Sequence, residues 1–177
     1  MEEILSCALH TEEKDVLIDE LMKMYGQDIL QLVYSYVKDR SAAEELTQDI
    51  FIKSYNSLHT YSGKSKLRTW LWKIAINTCK DYLKSWYRRN VVAGELDWES
   101  RLRSAEDVEA EVMKRDTDDM LAAAVMELDV PYREAIYLFY FQEMKLKEIA
   151  EVTGIKENTV KTRLKRAKEL LKKRLEE

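Results

Sequence analysis

Leu146-Lys-Glu-Ile-Ala-Glu-Val-Thr-Gly-Ile155 and, just beyond it, Thr159-Val-Lys-Thr-Arg-Leu-Lys-Arg-Ala167 read as a helix-turn-helix. Ile149 and Ala150 can seat the first helix on a core, and Gly154 can take a turn conformation that a residue with a Cβ resists. On the second helix Val160, Leu164, Ala167 and Leu171 recur with the helical period. Asn158, Lys161, Thr162 and Lys165 are left facing outward, flanked by Arg163 and Arg166. Such a face suits a major groove. Lys and Arg donate to guanine acceptors or phosphates, and Asn and Thr read base edges.

Around this motif the composition favours helices. The chain has 177 residues with one Pro, four Gly and 35% charged residues, enough for one domain with a sizeable core or for two small ones. An all-α fold is expected. No apolar run approaches the roughly 18 residues of a membrane span. Met1-Glu-Glu-Ile lacks the basic region and long apolar core of a secretory signal, so a cytosolic chain is expected. Cys7, Cys79, His10 and His59 have no metal-ligand spacing, and free thiols are the expected state of the cysteines. No nucleophile, base or phosphate loop points to an enzyme, and no cofactor or small-molecule substrate is expected.

The formal net charge of −4 conceals a segregation along the chain. Residues 64–89 hold eight basic residues against one acid, a net of +7. Residues 95–119 hold ten acids against four basic residues, a net of −6, and residues 145–177 hold eleven basic residues against six acids, a net of +5. The spacing therefore predicts two small cationic helical domains joined by an acidic linker. The expected bounds are 1–91, a linker over 92–116, and 117–177 with the helix-turn-helix. From Asp15 to Arg89 the apolar period predicts at least three helical segments, with turns near Asp39-Arg40-Ser41 and Tyr61-Ser-Gly-Lys-Ser65. The linker shows no sustained apolar stripe, and a transient helix around Glu106 to Lys114 is the most it suggests. Beyond it, Met120 to Glu127 and Pro131 to Phe141 predict two helices packed under the helix-turn-helix, with Pro131 in the first turn of the second.

Residues 67–89 combine aromatic and basic character. A helical wheel puts Leu67, Leu71, Ile74, Ala75, Thr78 and Tyr82 on the core side, and Thr69, Lys73, Asn77, Lys80, Lys84 and Arg88 opposite. Trp70 is assigned to the core. Trp72, Trp86 and Tyr87 fall at the margins, where they serve either the core or a stacking surface. Extruded bases need such a surface and a basic track for their backbone, so single-stranded DNA fits this segment better than closed duplex. On the preceding helix Ala43, Leu46, Ile50, Ser54 and Leu58 are predicted to face inward. Glu45, Gln48, Asp49 and Ile52 form an acidic patch with one apolar member on the other side. Phosphate would be repelled there. A basic protein helix would suit it, although a solvated charged face has the same spacing.

Together these segments resemble the extracytoplasmic-function group of bacterial sigma factors, the small promoter-recognition subunits of RNA polymerase. The resemblance rests on Ala43-Glu-Glu-Leu-Thr-Gln-Asp-Ile-Phe51, Tyr61-Ser-Gly-Lys-Ser-Lys-Leu-Arg-Thr-Trp-Leu-Trp-Lys-Ile-Ala-Ile-Asn77, Asp81-Tyr-Leu83, Val130-Pro-Tyr-Arg-Glu134, Glu148-Ile-Ala150 and Thr159 to Ala167. It implies that Glu45, Gln48, Asp49 and Ile52 dock on a coiled coil of the largest subunit of core RNA polymerase, with the polymerase flap a further contact. It implies that Ser62, Gly63, Lys64, Ser65 and Lys66 form the loop that opens the −10 promoter element and captures an extruded base, with Trp72, Lys73, Asn77 and Lys80 facing that strand. Asn158, Lys161, Thr162, Arg163, Lys165 and Arg166 would read the −35 element of promoter DNA. An anti-sigma factor, often membrane-anchored, commonly holds such proteins inactive.

Two positions depart from the family pattern. Lys145 stands where relatives often carry a capping Ser, and a lysine ammonium cannot accept an amide hydrogen bond, so a weaker helix start is expected. Lys165 lies where residue type varies among relatives, so the promoter sequence does not carry across. Two readings from other classes stay open on residues alone. A stand-alone helix-turn-helix regulator accounts for the last fifty residues or so but gives the first domain no purpose, and an all-helical protein-binding scaffold leaves the basic faces unexplained.

Overall fold

The computed structural model describes residues 11–92 and 116–176, and every described element is helical. The expected linker, but for its two end residues, and the expected helix at Glu106 to Lys114 lie outside the described residues. Seven helices are described: α1 (Thr11–Val37), α2 (Arg40–Ser57), α3 (Leu67–Val92), α4 (Asp116–Met126), α5 (Val130–Ile136), α6 (Leu146–Thr153) and α7 (Glu157–Glu176). They divide into two compact units, one built mainly from α1 to α3 and the other mainly from α4 to α7.

In the first unit, α1 and α2 are closely packed neighbours. The turn between them is made by Lys38, in the left-handed region at φ 55°, and by Asp39, whose carboxylate accepts from the Ala42 N–H at 2.7 Å. This N-cap satisfies one of the four donors that a helix start leaves open. On α2 the five positions expected inward, Ala43, Leu46, Ile50, Ser54 and Leu58 just past its end, are all buried, joined by Phe51. Buried Ser54 donates to the Ile50 carbonyl at 2.7 Å, so its hydroxyl is satisfied within the helix. From α1 come Ile18, Leu21, Ile29, Leu32, Val33 and Tyr36. Each large apolar side chain buried here stabilises by roughly 1.5–3 kcal/mol.

Helix α3 is turned relative to the expected wheel. Its buried positions are Thr69, Leu71, Trp72, Ala75, Ile76, Thr78 and Cys79, whereas Leu67, Ile74 and Tyr82 are only half-buried. Trp72 is fully buried, with the Tyr25 ring edge-on at 5.7 Å and the Arg68 guanidinium over its face at 5.7 Å. Trp70 lies half-buried beside Tyr61, ring centroids 5.5 Å apart. The two tryptophans differ in environment because two residues along a helix turn the side chain by about 200°.

In the second unit α7 packs against α4 and α5. Val160, Leu164, Ala167 and Leu171 are all buried, as the helical period requires. Pro131 sits in the first turn of α5 as expected, where a missing N–H is harmless. The expected helix to Phe141 instead ends in a π-helical turn over Tyr137–Phe141, closed by the Gln142 N–H donating to the Tyr137 carbonyl at 3.1 Å. That turn buries Tyr137 and Leu138 but leaves Tyr140 and Phe141 half or more exposed. Gly154 ends α6 at φ 72°, the left-handed conformation expected of it. The start of α6 is held from the other direction. The Glu148 carboxylate accepts from the Lys145 backbone N–H at 2.9 Å, so the helix has half of a capping box without a capping side chain at Lys145.

Candidate nucleic-acid interface

In the first unit, burial of one α2 face forces the other outward, and Glu45, Gln48 and Asp49 are exposed with Ile52 at 57% exposure beside them. An isoleucine that open to water among carboxylates has no role in the core of its own unit. It can add apolar area to a basic helix laid across the patch.

The residues expected to meet a single strand divide into two groups. Ser62, Gly63, Lys64 and Lys66 are exposed in the loop and Ser65 is half-buried. Gly63 holds φ 71°, so the loop turns at the residue that can do so without strain. On α3, Lys73 and Asn77 are exposed and Lys80 is half-buried, followed on the same side by exposed Lys84 and Arg88. Trp72 does not belong with them. Its ring is enclosed by Tyr25 and Arg68 and can stack on no base, which corrects the expectation that it faces the strand; Thr69, expected outward, is likewise buried. The aromatic side chains adjoining the basic loop are Tyr61 and Trp70. Sequence reasoning gave Tyr61 no role, although an aromatic residue directly before a Ser-Gly turn was the available signal.

In the second unit Asn158, Lys161, Thr162, Lys165 and Arg166 are exposed along the N-terminal half of α7. Lys161 pairs with Glu157 at 3.4 Å and Arg166 with Glu169 at 3.2 Å. Pairs this exposed contribute about 0–1 kcal/mol, so both cations can exchange their partners for phosphates or base edges. The Thr162 hydroxyl donates to the Asn158 carbonyl at 2.9 Å, which leaves its oxygen as an acceptor for a base amino group. Arg163 is the exception. Its guanidinium lies 3.5 Å from the carboxylate of Glu134, whose side chain is only 3% exposed, and the arginine is itself 26% exposed. It holds α7 to α5 instead of joining the groove-facing set.

Two further exposed aromatics were not anticipated. Tyr140 and Phe141 stand on the π-helical turn, with Lys168 of α7 over the Tyr140 ring at 5.5 Å. A regular helix was expected through these positions, and nothing in the local periodicity signalled the extra residue in the turn.

Comparison with known proteins follows the same two-unit division. A family model described as Sigma-70 region 2 matches residues 21–89, and one described as Sigma-70, region 4 matches residues 118–171. The chain is 32% identical to the ECF RNA polymerase sigma factor SigM of Bacillus subtilis, over 88% of this chain and 93% of that protein. It is 35% identical to the RNA polymerase sigma factor SigV of the same organism, over 84% of each. Among solved structures, the sigma factor RpoE in complex with the anti-sigma factor NepR from Bartonella quintana is similar in fold. That similarity has a TM-score of 0.66 at 20% identity and covers 89% of this chain and 96% of that one.

Proposed function

This chain belongs to the ECF family of RNA polymerase sigma factors, and from that membership we propose how its surfaces divide the work of promoter-specific initiation. Residues 1–91 form the domain that binds core polymerase and opens the −10 element, residues 92–116 are the acidic linker, and residues 117–177 read the −35 element. Glu45, Gln48, Asp49 and Ile52 grip a basic coiled coil of the polymerase. The loop 62–66 with Lys73, Asn77 and Lys80 takes the unpaired strand. Asn158, Lys161, Thr162, Lys165 and Arg166 enter the major groove. The polymerase supplies the chemistry of RNA synthesis, and this chain supplies address and strand opening.

The observation that carries the division is the separation of sign between exposed faces. In the first unit α2 presents acids with an open isoleucine, while α3 and its preceding loop present lysines and an asparagine. One ligand cannot suit both, because the lysine-bearing face attracts phosphate and the carboxylate-bearing face repels it. A regulator acting alone on DNA leaves the acidic face without a use.

The structure of RpoE with NepR holds an anti-sigma factor. By analogy we assign this chain an anti-sigma partner, and a place in the cytoplasm, at the inner face of the membrane where that partner is membrane-anchored. No described helix is long and apolar enough to cross a membrane itself.

The test reverses charge on one face at a time. Gln48→Lys with Asp49→Lys should abolish capture by core polymerase while leaving binding of the free chain to DNA intact. Lys161→Glu with Lys165→Glu should spare polymerase capture and impair recognition of the −35 element. Normal initiation by both double variants would refute the assignment.

A further inference from the structure

We propose that Tyr61 is a positioning residue for the strand-capturing loop, its hydroxyl tethering the loop in the shape that receives an extruded base; this rests on the role given above to residues 62–66. The Tyr61 hydroxyl donates to the Ser65 carbonyl at 2.5 Å, across the residues that carry Gly63 and Lys64. Its ring leans on Trp70, in the first turn of α3, with centroids 5.5 Å apart and planes at 59°. Its backbone N–H donates to the Leu58 carbonyl at 3.1 Å, and so belongs to the short 3-10 turn Leu58–Thr60 that follows α2. On the far side of the loop the Lys66 carbonyl accepts from the Trp70 N–H at 3.1 Å, which fixes the start of α3. One residue therefore joins the turn that enters the loop through its backbone, and the far end of the loop and the helix after it through its side chain.

The tether matters because a loop that closes on a flipped base loses conformational freedom when it binds. Each backbone residue fixed only at that moment weakens the complex. A loop already drawn into a ring by Tyr61 has less freedom left to lose, while Lys64 and Lys66 stay exposed to meet the backbone of the strand. Trp70 keeps the phenol ring from swinging away. Tyr61→Phe keeps that ring contact and removes the hydroxyl that bonds Ser65, so it separates the tether from the packing.

The experiment uses the full chain assembled with core RNA polymerase, on a promoter recovered by transcription from a genomic DNA pool. Permanganate reactivity of unpaired thymines reads strand opening, and hydrogen–deuterium exchange on the full chain reads loop order. Lys64→Glu with Lys66→Glu is the control for the loop itself and should block opening. Tyr61→Phe should slow opening about three- to ten-fold, the size expected for one lost hydrogen bond. It should also raise amide exchange over residues 62–66, with polymerase capture unchanged. Wild-type opening or unchanged loop exchange in Tyr61→Phe, alongside a defective charge-reversal control, overturns the tether and leaves the loop assignment standing. Wild-type opening in both variants overturns the loop assignment and the tether with it.

Discussion

Arg163, on the helix proposed to read the −35 element, holds its guanidinium 3.5 Å from the buried carboxylate of Glu134 on α5. A basic residue that the sequence places beside a DNA-reading face is thus occupied in fixing that face to the rest of its unit. Buried pairs of this kind add little net stability, but removing one partner takes compensation from the other, at a cost of up to about 3–5 kcal/mol for a fully buried charge. Arg163 is a quarter exposed, so Arg163→Ala should fall at or below the lower end of that range. Urea unfolding should register the loss, and Glu134→Gln combined with Arg163→Gln should restore most of it. A purely DNA-contacting arginine would instead leave unfolding unchanged and lower affinity alone.

Trp72 should behave as core. Trp72→Ala removes a fully buried ring and should destabilise the first unit by about 3–5 kcal/mol. Trp72→Phe should cost far less, because the indole Nε1 has no hydrogen-bond partner among the described residues. Relief of that unmet donor, worth about 1–3 kcal/mol, offsets much of the lost volume. Strand opening by the phenylalanine variant should stay near wild type once temperature is set below its melting point.

Glu143 sits at φ 51°, where a side chain crowds the carbonyl that follows it. Glu143→Gly should remove that strain at some cost in unfolded-state entropy, for a net gain of about 0.5–1 kcal/mol read from chemical denaturation. Unchanged or lower stability would mean that the turn is not strained at this residue.

Lys145 offers a second gain. The Glu148 carboxylate already satisfies the Lys145 N–H, but no Lys145 side-chain acceptor serves the first turn of α6. Lys145→Ser would complete the capping box and should stabilise the second unit by about 0.5–1 kcal/mol, again by denaturant midpoint. A fall in stability would show that the lysine stem contributes more than the missing cap.

What the sequence made legible was what repeats with the helical period. Val160, Leu164, Ala167 and Leu171 lie one helical turn apart and are buried together, as are Ala43, Leu46, Ile50 and Ser54. The turns at Asp39 and Gly154 could be read from single residues, because an N-cap acceptor and a left-handed backbone each favour few residue types. Contacts distant in sequence were not legible. Nothing near Arg163 announces Glu134, twenty-nine positions earlier, and nothing near Trp72 shows that Tyr25, on α1, packs against it. Residues 67–89 are rich in apolar and aromatic side chains on several sides, so the wheel was ambiguous there, and packing chose Trp72 over Trp70. The exposed pair Tyr140 and Phe141 escaped because a π-helical turn inserts one residue into a pattern that is otherwise regular.

The account rests on one chain placing a polymerase on DNA through separate faces. Transcription in vitro with core RNA polymerase, this purified chain and a genomic DNA pool, with RNA 5′ ends mapped, measures that directly. The account predicts initiation at discrete positions preceded by two recurring sequence elements, with the upstream element lost from the selected set when Lys161 and Lys165 are reversed to Glu. No chain-dependent initiation at defined positions, despite active core polymerase, would contradict it.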